Sequence, residues 1–200
     1  MSFVISPGNT KLGKILNISI PPGETCPGQT GACAAVCYAS KYMRVFKSTA
    51  KAYGENLDAI LTEDWQAVII RKLAKSQPKL FRIHVAGDFF SPSYIQAWRK
   101  IIGMFPNTEF LAYTRSWRIG RLRRELETLR TLPNLQLFAS CDSDAHDAPR
   151  AWRKAHMGQP AYQTEGKTVL CPGYGPSEPT CDKCKLCFAS LKTSVYFPIH

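Results

Sequence analysis

The chain reads as an α/β protein, an incomplete TIM-like βα barrel with a cysteine loop near its N-terminus and a cysteine-rich C-terminal tail. Three observations predict this. Short apolar runs begin at Leu80, Phe110, Leu135 and Thr168, with amphipathic stretches between most of them, which is the rhythm of successive βα units on a parallel sheet. The 200 residues, 44% of them hydrophobic, fit one domain over 1–200, with 171–200 as a cysteine-rich appendage packed on it. The residues of unusual chemistry fall just after the apolar runs, where barrels and doubly wound sheets alike place their working face. Five or six strands with helices outside favour the barrel, although periodicity alone does not separate it from a doubly wound sheet.

In chain order, residues 15–20 read as a strand that runs straight into the first cysteine loop. Tyr53, Leu57, Ile60 and Leu61 mark one helical face. Thr62, with Glu63 and Asp64 behind it, starts a second helix that turns Trp65, Val68, Ile69 and Leu73 inward. Residues 80–85 form a strand ending in Gly87-Asp88, and Ser91-Pro92 supplies a cap and first-turn proline for a helix through residue 105. A strand over 110–113 precedes a helix over about 119–132. Another strand covers 135–140, Asp147 and Pro149 open a helix reaching about residue 156, and 168–171 is a short last strand.

The 8 cysteines are grouped as Cys26-x6-Cys33-x3-Cys37, Cys171-x9-Cys181-x2-Cys184-x2-Cys187, and a lone Cys141. Thiolates this close can converge on one soft metal centre, whereas a disulfide scaffold has no need of such crowding. Cysteine is only about 4% of the chain, below the roughly 8–10% of stapled secreted domains. The first twenty or so residues lack the apolar h-region of a signal peptide, and no stretch approaches the roughly 18 apolar residues of a membrane span. These features predict a cytoplasmic protein of a reducing compartment with no membrane partner, in which cysteine clusters bind metal. The formal charge of +11 would fall to about +7 with two thiolate-bound clusters, still basic.

The stretches CPGQTGAC-x3-CYA, IHVAGDFFS-x2-YIQAW, AYTRSW, PNLQLFAS, the CPG beginning at Cys171, and CDKCKLC, in that order along nearly the whole chain, resemble the cysteine-rich phage and prophage family named after gene product eighty-eight of a mycobacteriophage. The resemblance implies a phage or prophage protein acting inside a host cell. The family is more distantly similar to radical S-adenosylmethionine enzymes, whose partial βα barrel also sets three cluster cysteines after its first strand. That likeness implies S-adenosylmethionine as a further cofactor. The spacing here, x6 and x3, differs from the C-x3-C-x2-C of those enzymes, and Tyr38 follows the last cysteine rather than preceding it. Pro27, Gly28 and Gly31 supply the turns that a loop wrapped on a cluster needs.

Cys181, Cys184 and Cys187 match the first three ligands of ferredoxin-type loops, and Cys171 can supply the fourth. A four-thiolate zinc site is the alternative, although it normally presents two separated C-x2-C pairs. Cys26, Cys33 and Cys37 lack a local fourth ligand. Either Cys141 completes them, giving two [4Fe-4S] clusters, or one iron stays open; Cys141 can equally be a buried free thiol.

The catalytic residue is unknown, and the candidates are His84, Asp88, Arg115 and Asp142, all at expected strand ends. His84 can hydrogen-bond a cluster sulfide or be an ordinary core histidine. Asp88 can serve the site or cap the turn before Ser91, and Asp142, Asp144 and Asp147 can be helix-entry caps. His146 and His156 carry little signal, and His200 is either a late ligand or a tail residue.

Arg115, Arg118, Arg121, Arg123 and Arg124 crowd the start of a helix with no acid among them, where the macrodipole prefers Asp or Glu. With Trp117 and Tyr113 interleaved, they suit phosphate or nucleic acid as readily as a solvated helix face. The functional expectation is an iron-sulfur protein with one or two [4Fe-4S] clusters, in redox or radical chemistry with an electron donor or an anionic small molecule. The competing expectation is a cluster- or zinc-stabilised nucleic-acid-binding accessory protein. No nucleotide loop, serine or cysteine nucleophile motif, or H-E-x-x-H helix supports a hydrolase.

Overall fold

The computed structural model describes residues 3–62, 64–158, 167–174 and 178–199. They build a mixed α/β fold around a seven-stranded sheet in which every strand pair is parallel. The strands are β1 (Leu16–Ile18), β2 (Leu80–Ile83), β3 (Glu109–Thr114), β4 (Leu135–Cys141), β5 (Arg153–Met157), β6 (Thr168–Leu170) and β7 (Ser194–Phe197), ordered β1-β2-β3-β4-β5-β7-β6. The helices are α1 (Gly31–Ala35), α2 (Tyr38–Val45), α3 (Lys47–Thr62), α4 (Trp65–Ser76), α5 (Pro92–Met104), α6 (Gly120–Leu129) and α7 (Cys181–Cys184).

Alternation along the strands sorts side chains onto two faces. Phe81, Ile83, Phe110, Ala112, Leu135, Leu137 and Ala139 pack with Ile69 and Leu73 of α4, Trp98 of α5 and Leu122 of α6. Leu80, Leu111, Tyr113, Phe138, Ala155 and Val195 pack instead with Leu12, Ile15, Leu186, Phe188, Cys181 and Cys187. Helices therefore cover one face, and the N-terminal arm and C-terminal tail cover the other. The tail also enters the sheet, because β7 lies between β5 and β6.

Several helix ends follow from their sequence. Ser91 caps α5 by accepting from the Tyr94 N–H at 3.2 Å, with Pro92 in the first turn. Asp64, rather than Thr62, caps α4, accepting from the Ala67 N–H at 3.3 Å. Trp65, Ile69 and Leu73 are inward as expected, whereas Leu61 is exposed.

The expected helix from Asp147 to about residue 156 is absent. Asp142 and Ala145 instead close a small antiparallel bridge, the Trp152 N–H donates to the Pro149 carbonyl, and 153–157 is a strand. That strand reads R-K-A-H-M, too polar to announce itself. Its pairing with β4 and β7 overrides the local preference. β7 was not expected either; the helix expected over about 119–132 is α6, Gly120–Leu129, preceded by a 3₁₀ turn at Ser116–Arg118.

Candidate metal centres

The first cysteine loop approaches the carboxyl ends of β2 and β3 so closely that side chains are excluded at two points. At Gly87, with φ +79, a Cβ would lie 2.3 Å from Ile20 Cγ1 and 2.8 Å from Thr25 Oγ1. At Gly28 a Cβ would strike the Arg115 carbonyl oxygen at 2.1 Å.

Charged groups tie this loop to the sheet. The buried Asp88 carboxylate accepts from the Thr114 hydroxyl at 2.6 Å and from the N–H groups of Phe89 (2.7 Å), Arg115 (2.7 Å) and Ser116 (3.1 Å). Burial pushes its carboxyl above the usual range, against the pull of those donors. The buried Arg115 guanidinium pairs with buried Asp142 and donates to Ser140 Oγ at 3.0 Å. Asp142 accepts from the Thr30 hydroxyl at 2.6 Å, and Thr30 caps α1 by accepting from the Cys33 N–H at 3.0 Å. Asp144 takes the Ala32 N–H at 2.9 Å, and Arg118 donates to the Gly28 carbonyl at 3.1 Å. The ends of β2, β3 and β4 are thus joined to one another and to the loop by charge-assisted bonds.

All eight thiols are free, and Cys26, Cys33 and Cys37 are half-buried. Burial pushes Cys26 up to about 12, with Asp88, Cys33 and Cys37 adding to the rise. Cys33 is raised by burial and pulled back by Arg115. Cys141 is buried, with Sγ 3.5 Å from the Ala139 carbonyl oxygen, and burial pushes it up to about 12 against Arg115 and Lys154. Cys33 and Cys141 therefore share Arg115 and Asp142 as charged neighbours.

The second group lies over the sheet face that the N-terminal arm and C-terminal tail cover. α7 docks on the N-terminal arm: Cys181 N–H donates to the Lys11 carbonyl at 3.0 Å, Asp182 N–H to the Leu12 carbonyl at 3.2 Å, and Lys14 N–H to Asp182 at 3.1 Å. Cys171 N–H donates to the Tyr196 carbonyl at 2.9 Å, at the end of β7. Three cations line this face. The Arg82 guanidinium sits 4.1 Å over the Tyr113 ring, Arg153 4.1 Å over Phe138, and the Lys11 ammonium 3.6 Å over Tyr174. Arg153 also donates to the carbonyls of Leu186 (3.2 Å), Cys187 (3.4 Å), Ala189 (2.7 Å) and Thr193 (2.9 Å).

Among the described residues none of these three cations is paired with a carboxylate. Their electrostatic neighbours are thiols. Burial pushes Cys181 up to about 11, opposed by Arg82 and Lys11 and reinforced by Cys171 and Cys187. Cys187 is raised by burial against the Tyr113 hydroxyl, Arg82 and Arg153, and Cys171 by burial against the Gly173 backbone and Lys11, with Cys184 adding to its rise. Among the described residues no three His, Cys, Asp or Glu side chains stand in a metal-binding arrangement.

The remaining expected site residues are placed as follows. His84, at φ 57, packs its ring against Phe89 and Tyr94, with Nε2 2.8 Å from the Tyr94 hydroxyl. Burial first, and Arg82 second, push it down to about 3, so the ring is neutral at physiological pH. Arg115 and Trp117 are internal: Trp117 is 2% exposed and its indole N–H donates to the Ser140 carbonyl at 3.0 Å, so its ring cannot stack on a base. Arg118, Arg121, Arg123 and Arg124 are the exposed remainder of the arginine group. Asp147 and His146 are exposed, and buried His156 on β5 is pushed down to about 4 by burial and by Lys154. His200 lies outside the described residues.

Sequence reasoning missed Thr30, Lys11, Arg82 and Arg153. The signal for the two arginines was available in part: a charged residue in phase with apolar neighbours on a strand points into a packed face only where something there needs its charge.

The sequence profile of the family described as Gene product 88 matches residues 4–167, which takes in the first cysteine group and Cys141 and stops short of the second group. A Gene 88 protein of Mycobacterium phage D29 is 32% identical over 94% of this chain and 89% of its own length. A Gene 88 protein of Mycobacterium phage L5 is 37% identical over 72% of this chain and 64% of its own length. No solved structure matches, and among the described residues no helix is long and apolar enough to cross a membrane. The chain belongs to the Gene product 88 family of phage proteins.

Proposed function

We propose that the protein is an iron-sulfur protein, with Cys171, Cys181, Cys184 and Cys187 holding one [4Fe-4S] cluster and Cys26, Cys33 and Cys37, completed by Cys141, holding a second. The single observation that carries this reading is the set of cations without carboxylate partners around the C-terminal thiols. Lys11, Arg82 and Arg153 are costly on a packed face unless anions answer them, and the acids-in-waiting there are thiols. Four thiolates around a cluster of core charge +2 leave a net negative centre that such cations stabilise. The donor set fits this group in chemistry and in its spacing along the chain, and metal bonds would themselves draw the loop thiols together, as in many small metal sites.

The finer fold reading belongs here too. Strands β1 to β5 follow one another without reversal, and the helices α4, α5 and α6 lie on one face. Single-direction winding supports a partial TIM-like barrel over a doubly wound sheet, whose order reverses.

When bound, such clusters supply one-electron chemistry. The chain's own residues set the stage for it: Asp88, Arg115 and Asp142 hold the first loop in place, and exposed Arg118 and Arg121 offer charge to an anionic partner nearby. If the trio acts without Cys141, one metal position is open to an external ligand, and S-adenosylmethionine is the one that the radical-enzyme likeness names. Anaerobic purification with elemental analysis and visible and paramagnetic spectra tests the proposal. Iron with matching sulfide and a brown colour supports it; a colourless protein with zinc points to a zinc-stapled fold. A spectral change on adding S-adenosylmethionine supports the open site, and silence favours the closed one.

A second reading, a non-catalytic metal-stabilised nucleic-acid binder, is favoured by exposed Arg118, Arg121, Arg123 and Arg124 at the start of α6. Retardation of nucleic acid that weakens steeply with salt supports it.

A further inference from the structure

Helix α2 carries an apolar stripe that nothing in the described chain covers. Tyr38, Tyr42, Val45 and Phe46 are 55%, 54%, 70% and 50% exposed. Spaced i, i+4, i+7 and i+8, with Phe46 at the C-cap, they share one face, and Ala39 is the buried residue of the helix. The rings form a ladder, with Tyr38 and Tyr42 centroids 6.3 Å apart and Tyr42 and Phe46 centroids 5.5 Å apart. The ladder is fixed at its base, because the Tyr38 hydroxyl donates to the Val85 carbonyl at the end of β2.

Charge runs beside the rings. Lys41, Arg44, Lys47 and Lys51 are all exposed, and no acid occurs from Thr25 to Gly54. Lys51 lies 3.8 Å from Glu55, and no carboxylate lies that close to the other three among the described residues. Lys41 and Arg44 flank the stripe along one side.

We infer that this face of α2 binds single-stranded nucleic acid, with bases stacking on Tyr42 and Phe46 and phosphates meeting Lys41, Arg44 and Lys47. Exposed rings next to a basic track are the two components of sequence-tolerant single-strand binding. Two other occupants fit less well. A second copy of the chain would set Lys41, Arg44 and Lys47 against themselves, a like-charge contact. Affinity for a membrane surface scales with the apolar area that a helix can bury, and α2, Tyr38–Val45, offers one short stripe. The inference rests on the nucleic-acid reading above and moves its site from α6 to α2. It does not depend on which metal is bound. Because Tyr38 directly follows Cys37, a strand on this face would lie alongside the first cysteine loop.

The test is fluorescence anisotropy of a labelled oligothymidine, and of a labelled duplex, with the full chain at low and moderate salt. The expected result is tighter binding of the single strand, a loss of at least about fivefold in Y42A/F46A that persists at the higher salt, and a shallower salt dependence in K41E/R44E. All substituted side chains are exposed, so folding is preserved, and circular dichroism checks it. Absence of binding to either probe at low salt overturns the nucleic-acid reading altogether. Binding weakened only by R121E/R124E keeps that reading and overturns the α2 site. Sedimentation showing a dimer that Y42A/F46A dissolves, or pelleting with anionic vesicles without oligothymidine binding, assigns the face to another occupant and overturns the inference.

Discussion

The two cysteine groups sit in opposite electrostatic settings. Around Cys26, Cys33 and Cys37 the protein balances its own charges: Arg115 is paired with Asp142, and Asp88 is saturated by a hydroxyl and three N–H groups. Around Cys171, Cys181, Cys184 and Cys187 the cations Lys11, Arg82 and Arg153 face rings, carbonyls and thiols. The first loop is therefore tied down by bonds within the polypeptide, while the cations at the second group have no carboxylate partner among the described residues. The family profile ends between the two groups, at residue 167.

The largest expected effect falls on the first region. Asp142→Ala leaves Arg115 buried without its anion, an expected loss of about 3–5 kcal/mol in denaturant unfolding of the metal-free protein. Survival of most of the stability would break the view that this loop is tied down independently of metal. Next in size is chelation of the loaded protein. Limited proteolysis should then open residues 178–193 while residues 26–37 stay protected, and equal cleavage of both would erase the contrast. Arg153→Met, which removes a guanidinium that grips the 186–193 segment, should cost about 2 kcal/mol and speed amide exchange in β7 more than in β2.

The smallest effect is on pH dependence. Thiols raised by burial to about 12 at Cys26 and about 11 at Cys181 favour the protonated form in the folded chain. Their contribution is fully present below the ordinary thiol value of 9.0 and is lost as pH climbs from there towards those raised values. The metal-free protein should therefore soften above pH 9, and the loaded protein, whose thiolates are already formed, should not. The same shifts require metal uptake to release protons, so affinity should rise with pH through the neutral range.

The legible parts of the sequence were those where apolar content and periodicity agree. β2, β3 and β4 stand out as short apolar runs, and α5 is announced by Ser91-Pro92. β5 was not legible because a single alanine and a methionine do not outweigh Arg153, Lys154 and His156; its identity comes from neighbours on both sides. β7 escaped because the tail reads as cysteine-rich loop. The cysteine grouping could be read from spacing alone, and so could the placing of Asp88, Arg115 and Asp142 at strand ends. Their mutual bonding could not, since it depends on which strand ends meet. Trp117 shows the limit most plainly: beside arginines it suggests a stacking platform, and only the fold reveals that its ring is buried against β4.

The most direct test of two separate thiolate centres is iron and sulfide content after anaerobic reconstitution of three proteins: the native chain, C26A/C33A/C37A, and C181A/C184A/C187A. Two centres require the native chain to hold about twice the iron and sulfide of either variant, each variant keeping its own spectrum. A native chain with no iron, or with no more than one variant retains, would contradict the account.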